Sequence, residues 1–118
     1  MSLAKIAREE IVESGNVFSS VLVETKNAYI ILLSEDGDSL GTLAVSVPQK
    51  AGMLGPPLSS VLLGERNTTL ARIFAERLAT TLKKMVLVSV FLKTVDEREA
   101  GPILWKLVER VVKKGDLI

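Results

Sequence analysis

The chain has 118 residues, long enough for one hydrophobic core and short for two. It contains no Cys and no His, which excludes a disulfide framework, a thiolate zinc site, a cysteine nucleophile and the commonest general base near neutral pH. A formal net charge of +1, with 47% hydrophobic and 25% charged residues, argues against disorder and against a strong field for nucleic acid or anionic membrane.

Met1-Ser2-Leu3 lacks the basic-then-apolar start of a signal peptide, so a cytoplasmic protein is expected. Ala4–Ser14 reads as a helix, with Leu3, Ile6, Ala7 and Ile11 on one face and Gly15 to end it. Ile6 and Val12 also fit a strand's alternation. Val17–Thr25 and Ala28–Leu33 read as two strands joined at Lys26-Asn27, since Asn tolerates the positive φ of a tight hairpin. A polar loop, Ser34–Ser39, leads to a third strand, Leu40–Val47, stopped by Pro48.

Gly52, Gly55, Pro56 and Pro57 make Gln49–Leu58 a surface loop, expected to be mobile. The longest charge-free stretch, Ala51–Gly64, is too short to span a bilayer. Ser59–Leu63 reads as a short strand. A helix capped by Asn67 or Thr68 follows, running to about Lys83, with a stripe of Leu70, Ile73, Phe74, Arg77/Leu78 and Leu82 and with Lys83 and Lys84 at its negative end. Met85–Leu92 is a further strand. Gly101-Pro102 is expected to open a last helix whose stripe runs through Leu104, Leu107, Val108, Val111 and Val112. The fold class is therefore α+β: an antiparallel sheet of five to six strands with two long helices on one face, and a third helix if the N-terminal segment is helical. The whole chain, 1–118, forms a single domain.

The strands carry apolar residues on both faces. Tyr29-Ile30-Ile31-Leu32-Leu33 and Met85–Leu92 do not alternate with polar residues, so each sheet face needs a cover. Both long helices fit one face, which leaves the other for a partner. A two-residue turn at Lys26-Asn27 sets Val23 opposite Ile30 and Val21 opposite Leu32. Closing the next hairpin over six residues sets Leu43 opposite Ile30. One face is then Val21, Val23, Ile30, Leu32, Leu43, Val45 and Val47, aliphatic and suited to helices. The other holds Phe18, Leu22, Glu24, Tyr29, Ile31, Leu33, Thr42, Ala44 and Ser46, mixing aromatics and hydroxyls with an apolar centre, as interfaces do. Met85, Leu87, Ser89 and Phe91 read as its matching set. The expected dimer interface is thus Phe18, Leu22, Tyr29, Ile31, Leu33, Thr42, Ala44, Met85, Leu87 and Phe91.

Chemistry-bearing motifs are sparse. Glu35, Asp36 and Asp38 lack a calcium loop's spacing and distal Glu, and read as a solvated turn. Gly64–Thr69 sits where a phosphate loop would, without its second Gly and Lys, and reads as a helix cap. Arg72, Arg77, Lys106, Arg110, Lys113 and Lys114 read as outward helix charges; one Tyr and one Trp offer little base stacking. Trp105 reads as core. No catalytic residue, cofactor site or metal site is predicted, and an enzyme would need a cleft around Glu24, Tyr29 or a desolvated Lys.

From Phe18 to Val111 the sequence resembles the small proteasome-assembly chaperones of the third and fourth eukaryotic kinds. The residues that carry the likeness are Phe18-Ser19-Ser20, Gly41-Thr42-Leu43 and Val61-Leu62-Leu63-Gly64. They continue with Leu70, Ile73-Phe74-Ala75, Leu78-Ala79, Val86-Leu87-Val88-Ser89-Val90 and a closing amphipathic helix. The resemblance implies a non-catalytic homo- or heterodimer, the latter with a paralogue. It also implies an antiparallel sheet flanked by helices and a protein partner among the α-type subunits of the 20S proteasome during α-ring assembly. Two features depart from that pattern. Gly115-Asp116-Leu117-Ile118 has no penultimate Tyr, so docking through a hydrophobic-Tyr-any tail is not expected, and the composition looks prokaryotic or archaeal. The alternative expectation is a roadblock-like dimeric scaffold for a small GTPase or other complex, which also needs no catalytic residues.

Overall fold

The computed structural model describes residues 3–50, 52 and 58–115. The loop expected over 49–58 lies mostly outside them, as does the tail 116–118. Eight elements follow in chain order: β1 (Lys5–Glu13), β2 (Asn16–Glu24), β3 (Ala28–Glu35), β4 (Thr42–Ser46), β5 (Ser59–Leu63), α1 (Thr68–Leu82), β6 (Met85–Phe91) and α2 (Glu97–Lys114). They build an α+β unit in which one six-stranded sheet, ordered β1-β2-β3-β6-β4-β5, carries both helices on one face.

The N-terminal segment is a strand, not a helix. Ser14 (φ 51°) and Gly15 (φ 80°) both take positive φ, the requirement of the two-residue hairpin turn that pairs β1 with β2. The glycine that reads as a helix stop is half of that turn.

The β2–β3 register is the expected one, with Val23 opposite Ile30 and Val21 opposite Leu32. The sheet is mixed where an antiparallel one was expected, because β6 inserts parallel to β3 between β3 and β4. Leu43 therefore pairs with Ser89 and not with Ile30. The cause lies in α1, which leaves β5, crosses β4 and returns the chain as β6 parallel to β5, so the slot beside β3 is filled last.

Two glycines of the Gly41-Thr42-Leu43 and Leu63-Gly64 motifs make this crossing fit. A Cβ on Gly41 would stand 2.2 Å from the Val90 carbonyl oxygen. Gly64 has φ +89°, and a Cβ there would stand 2.4 Å from Thr42 Oγ1. The Thr42 hydroxyl in turn donates to the Arg66 carbonyl, tying the β5–α1 turn to β4.

The core lies between the sheet and the helices. Ala71, Ala75 and Ala79 recur every four residues on α1 and are fully buried, facing the small side chains of β4, Thr42, Ala44 and Ser46. Leu104, Leu107, Val108 and Val111 of α2 bury the other flank, over β1 and β2. α2 starts at Glu97, a turn and more before the expected Gly101-Pro102. The Asp96 carboxylate accepts from the Glu99 N–H at 2.9 Å, and this cap outweighs the proline, which is accommodated inside the helix. Trp105 is half-buried against Phe74, with ring centroids 5.2 Å apart, and the Arg77 guanidinium lies 4.3 Å over it.

Glu35 is not part of a solvated turn. Only 2% exposed, its carboxylate accepts from the backbone N–H groups of Lys93, Thr94 and Val95 and from the Thr94 hydroxyl. Burial alone would push its pKa up; the Thr94 hydroxyl and the three N–H groups outweigh it and bring the value down to about 2. It thus welds the end of β3 to the loop between β6 and α2.

Two predictions follow from this packing. Gly41→Ala forces a methyl into a carbonyl oxygen and should cost at least ~2 kcal/mol, read as a lowered urea midpoint. Glu35→Gln should cost about 2–4 kcal/mol near neutral pH, because it removes the charge and sets an NH₂ among donors. Since the folded-state pKa of Glu35 is depressed, its stabilisation is complete above about 4.5 and is lost as pH falls toward about 2. The gap between wild type and variant in urea melts should narrow over that window.

Candidate protein-binding face

The sheet has one covered and one open face, and strand register decides which side chain lies on each. Phe18, Leu22, Tyr29, Ile31, Leu33, Thr42 and Ala44, expected at a dimer interface, lie beneath the helices and are each 6% exposed or less. That expectation is corrected for these seven. Their small and hydroxylated members fit the alanine seam of α1, which reads in sequence as interface-like variety. Val86, Val88 and Val90 share their face, through the pairs Tyr29–Val86, Ile31–Val88 and Leu33–Val90.

Met85, Leu87 and Phe91, the other three expected interface residues, lie on the open face, opposite to the seven residues expected to share a face with them. They stand beside Ala28, Ile30 and Ser34. Their neighbours there are Val21, Val23, Leu32, Leu43 and Val45, the set that reads in sequence as helix-covered. The face partition of β2, β3 and β4 was legible; the location of the helices and the parity of β6 were not. The larger apolar side chains of the open face are half-buried, and Ile6 (73% exposed) and Val12 (66%) extend the apolar surface onto β1.

One end of this face is already covered. The connection over residues 36–41 has to pass β6, and it lies across the open side on polar anchors. The Gly41 N–H donates to Ser89 Oγ at 2.8 Å and the Ser39 N–H to Ser34 Oγ at 3.0 Å. Asp38 accepts from Ser19 Oγ at 2.6 Å and from Arg8 at 2.9 and 3.2 Å. The Arg8 guanidinium and the Ser19 hydroxyl hold the Asp38 carboxyl below the usual range, and Asp38 with Glu10 raises the pKa of Arg8. The open face thus has a polar, pre-paired end and an apolar remainder.

The carboxylates weighed as a cation site all bind protein donors: Glu35 as above, Asp36 to Lys93 Nζ at 2.9 Å, and Asp38 to Arg8 and Ser19. Tyr29 and Glu24 come together, with the hydroxyl donating to the carboxylate at 3.3 Å and Lys84 Nζ 5.1 Å from the ring centroid. Their polar groups serve each other at the margin of the sheet. Among the described residues, no group of three or more His, Cys, Asp or Glu could hold a metal ion, and no helix is long and apolar enough to cross a membrane.

The fold is similar to a solved structure described as a novel chaperone complex for yeast 20S proteasome assembly. The TM-score is 0.71 at 15% identity, over 99% of this chain and all of that one. No curated protein sequence matches the chain. The profile of the family described as proteasome assembly chaperone 4 matches residues 16–92, which run from the start of β2 past the end of β6 and include both glycine motifs and most of the open face. On that match, the chain belongs to the proteasome assembly chaperone 4 family.

Proposed function

We propose that this protein is a non-catalytic dimeric chaperone that assists assembly of the 20S proteasome α-ring, and that it dimerises through the open face of its sheet. One observation carries the dimer: an apolar face of a six-stranded sheet that neither helix of the described residues covers. In projection such a sheet presents on the order of 500 Å², from strands about 4.8 Å apart and roughly 20 Å long. Side-chain relief raises this toward the ~800 Å² per partner of a standard interface. Met85, Leu87 and Phe91 are the residues of the expected interface that this reading keeps. They are joined by Val21, Val23, Ile30, Leu32, Leu43 and Val45.

The polar end formed by Arg8, Asp38 and Ser19 sets orientation in this reading, because like charges facing across a two-fold axis would be costly. Binding, not bond-making, is the activity. The client is an α-type subunit, in keeping with the family.

Leu87→Asp should shift the protein from dimer to monomer, weakening association at least 100-fold, because a carboxylate would be buried without a partner. The measurement is sedimentation equilibrium at micromolar concentration, against a protomer mass of 12.8 kDa. The melting temperature extrapolated to the monomer should stay near wild type. Ile31→Asp, on the covered face, should unfold the protomer instead. A monomeric wild type, or a Leu87→Asp variant of unchanged mass, contradicts the dimer. Copurification with a small GTPase in place of proteasome α-subunits contradicts the client and favours the roadblock-like scaffold.

A further inference from the structure

The two edges of the sheet are built differently. β1 carries five charged residues in nine, Lys5, Arg8, Glu9, Glu10 and Glu13. Lys114 Nζ also lies across it, bonded to the Arg8 carbonyl at 2.8 Å and to Glu9 at 3.0 Å. These are the devices by which proteins stop a sheet from recruiting another strand. β5, at the opposite edge, has none of them on its side chains: Ser59-Ser60-Val61-Leu62-Leu63 contains no charge and no proline. Its one irregularity is a register shift toward β4, on its inner side.

Exposed apolar side chains gather at this same edge. Val61, Leu62 and Leu63 are 37%, 52% and 49% exposed, and Leu58, immediately before β5, 84%. Val47 at the end of β4 is 56% exposed. On the helix side, Arg72 and Glu76 of α1 both hydrogen-bond Ser59. Ile73, three residues before Glu76 and so on the same flank, is 43% exposed. Among the described residues no strand pairs with the outer edge of β5, which lies between apolar side chains above and below it, with Arg72 and Glu76 engaged by Ser59.

We infer that the outer edge of β5 receives an extended strand of the client polypeptide, adding a seventh strand to the sheet. Main-chain hydrogen bonds supply register, and alternate apolar side chains of the incoming strand meet Val61 and Ile73 on one side and Leu63 on the other. The absence of charge selects an uncharged, alternately apolar segment. A second copy of this chain is the less favoured occupant, because the open sheet face already offers a far larger self-complementary surface. The inference rests on the chaperone reading for the identity of the client and concerns a surface distinct from the dimer face.

The test uses the full-length protein co-expressed with the 20S α-type subunits of the same organism. Val61→Lys and Leu62→Lys each place a charge on the edge. Both residues are exposed, so the melting temperature should shift little. Each variant should retain the dimer and reduce α-subunit capture at least tenfold. In the wild-type complex, amide hydrogen exchange over residues 59–63 should slow on binding. Capture by Val61→Lys at the wild-type level, or protection confined to other elements, overturns the inference and leaves the chaperone reading standing. A wild type that captures no α-subunit overturns both. Concentration-dependent assemblies larger than a dimer that disappear in Val61→Lys assign the edge to a second copy and overturn the client strand.

Discussion

The structure depends on where its helices sit. The described residues form two amphipathic helices, and both lie on one face of the sheet. On that face Ala71, Ala75 and Ala79 of α1 meet Thr42, Ala44 and Ser46 of β4, so helix and strand backbones approach closely. Larger residues at these positions would hold α1 off the sheet. α2 fills the rest with leucine and valine over β1 and β2. Nothing amphipathic remains in the described chain for the reverse face, which keeps its valines, leucines and isoleucines against solvent or a partner.

The crossover through α1 shapes that reverse face. By returning the chain between β3 and β4, it sets Leu87 and Met85 near the middle of the sheet, beside Ile30 and Ala28. It also obliges residues 36–41 to bridge over β6, which places Asp38 against Arg8 and Ser19 and covers one end. Gly41 is the point of closest approach in that bridge, and Glu35 anchors the same corner from within the protein. A covered polar end beside an apolar expanse gives the face direction as well as stickiness. The two edges also differ, β1 being charged and β5 uncharged.

Much of this was legible in the residues. The Lys26-Asn27 hairpin, its register, the short β5 and α1 follow from periodicity, a local property, although Asn27 does not take the positive φ expected of it and Asn67 caps α1 without a side-chain hydrogen bond. The N-terminal segment misled because Ser14-Gly15 can stop a helix or turn a hairpin, and only pairing with β2 distinguishes them. α2 began earlier than Gly101-Pro102 suggests because Asp96 supplies a better cap. The insertion of β6 was not legible, since no local signal states which strand a crossover returns to. That single unknown altered the pairing of Leu43 and the parity of Met85, Leu87 and Phe91. The covered face was misread for a related reason. Alanine, serine and threonine look like interface variety in one strand, and only the alanines of α1 opposite them reveal a close-packed seam.

The chain is a member of the proteasome assembly chaperone 4 family. If dimerisation shelters the open sheet face, methyl NMR with a soluble paramagnetic probe will show it. The methyls of Val23, Leu32 and Leu87 should escape relaxation at high protein concentration and become accessible on dilution, while those of Ile31 and Val88 stay protected throughout. Full accessibility of Val23, Leu32 and Leu87 at every concentration would contradict it.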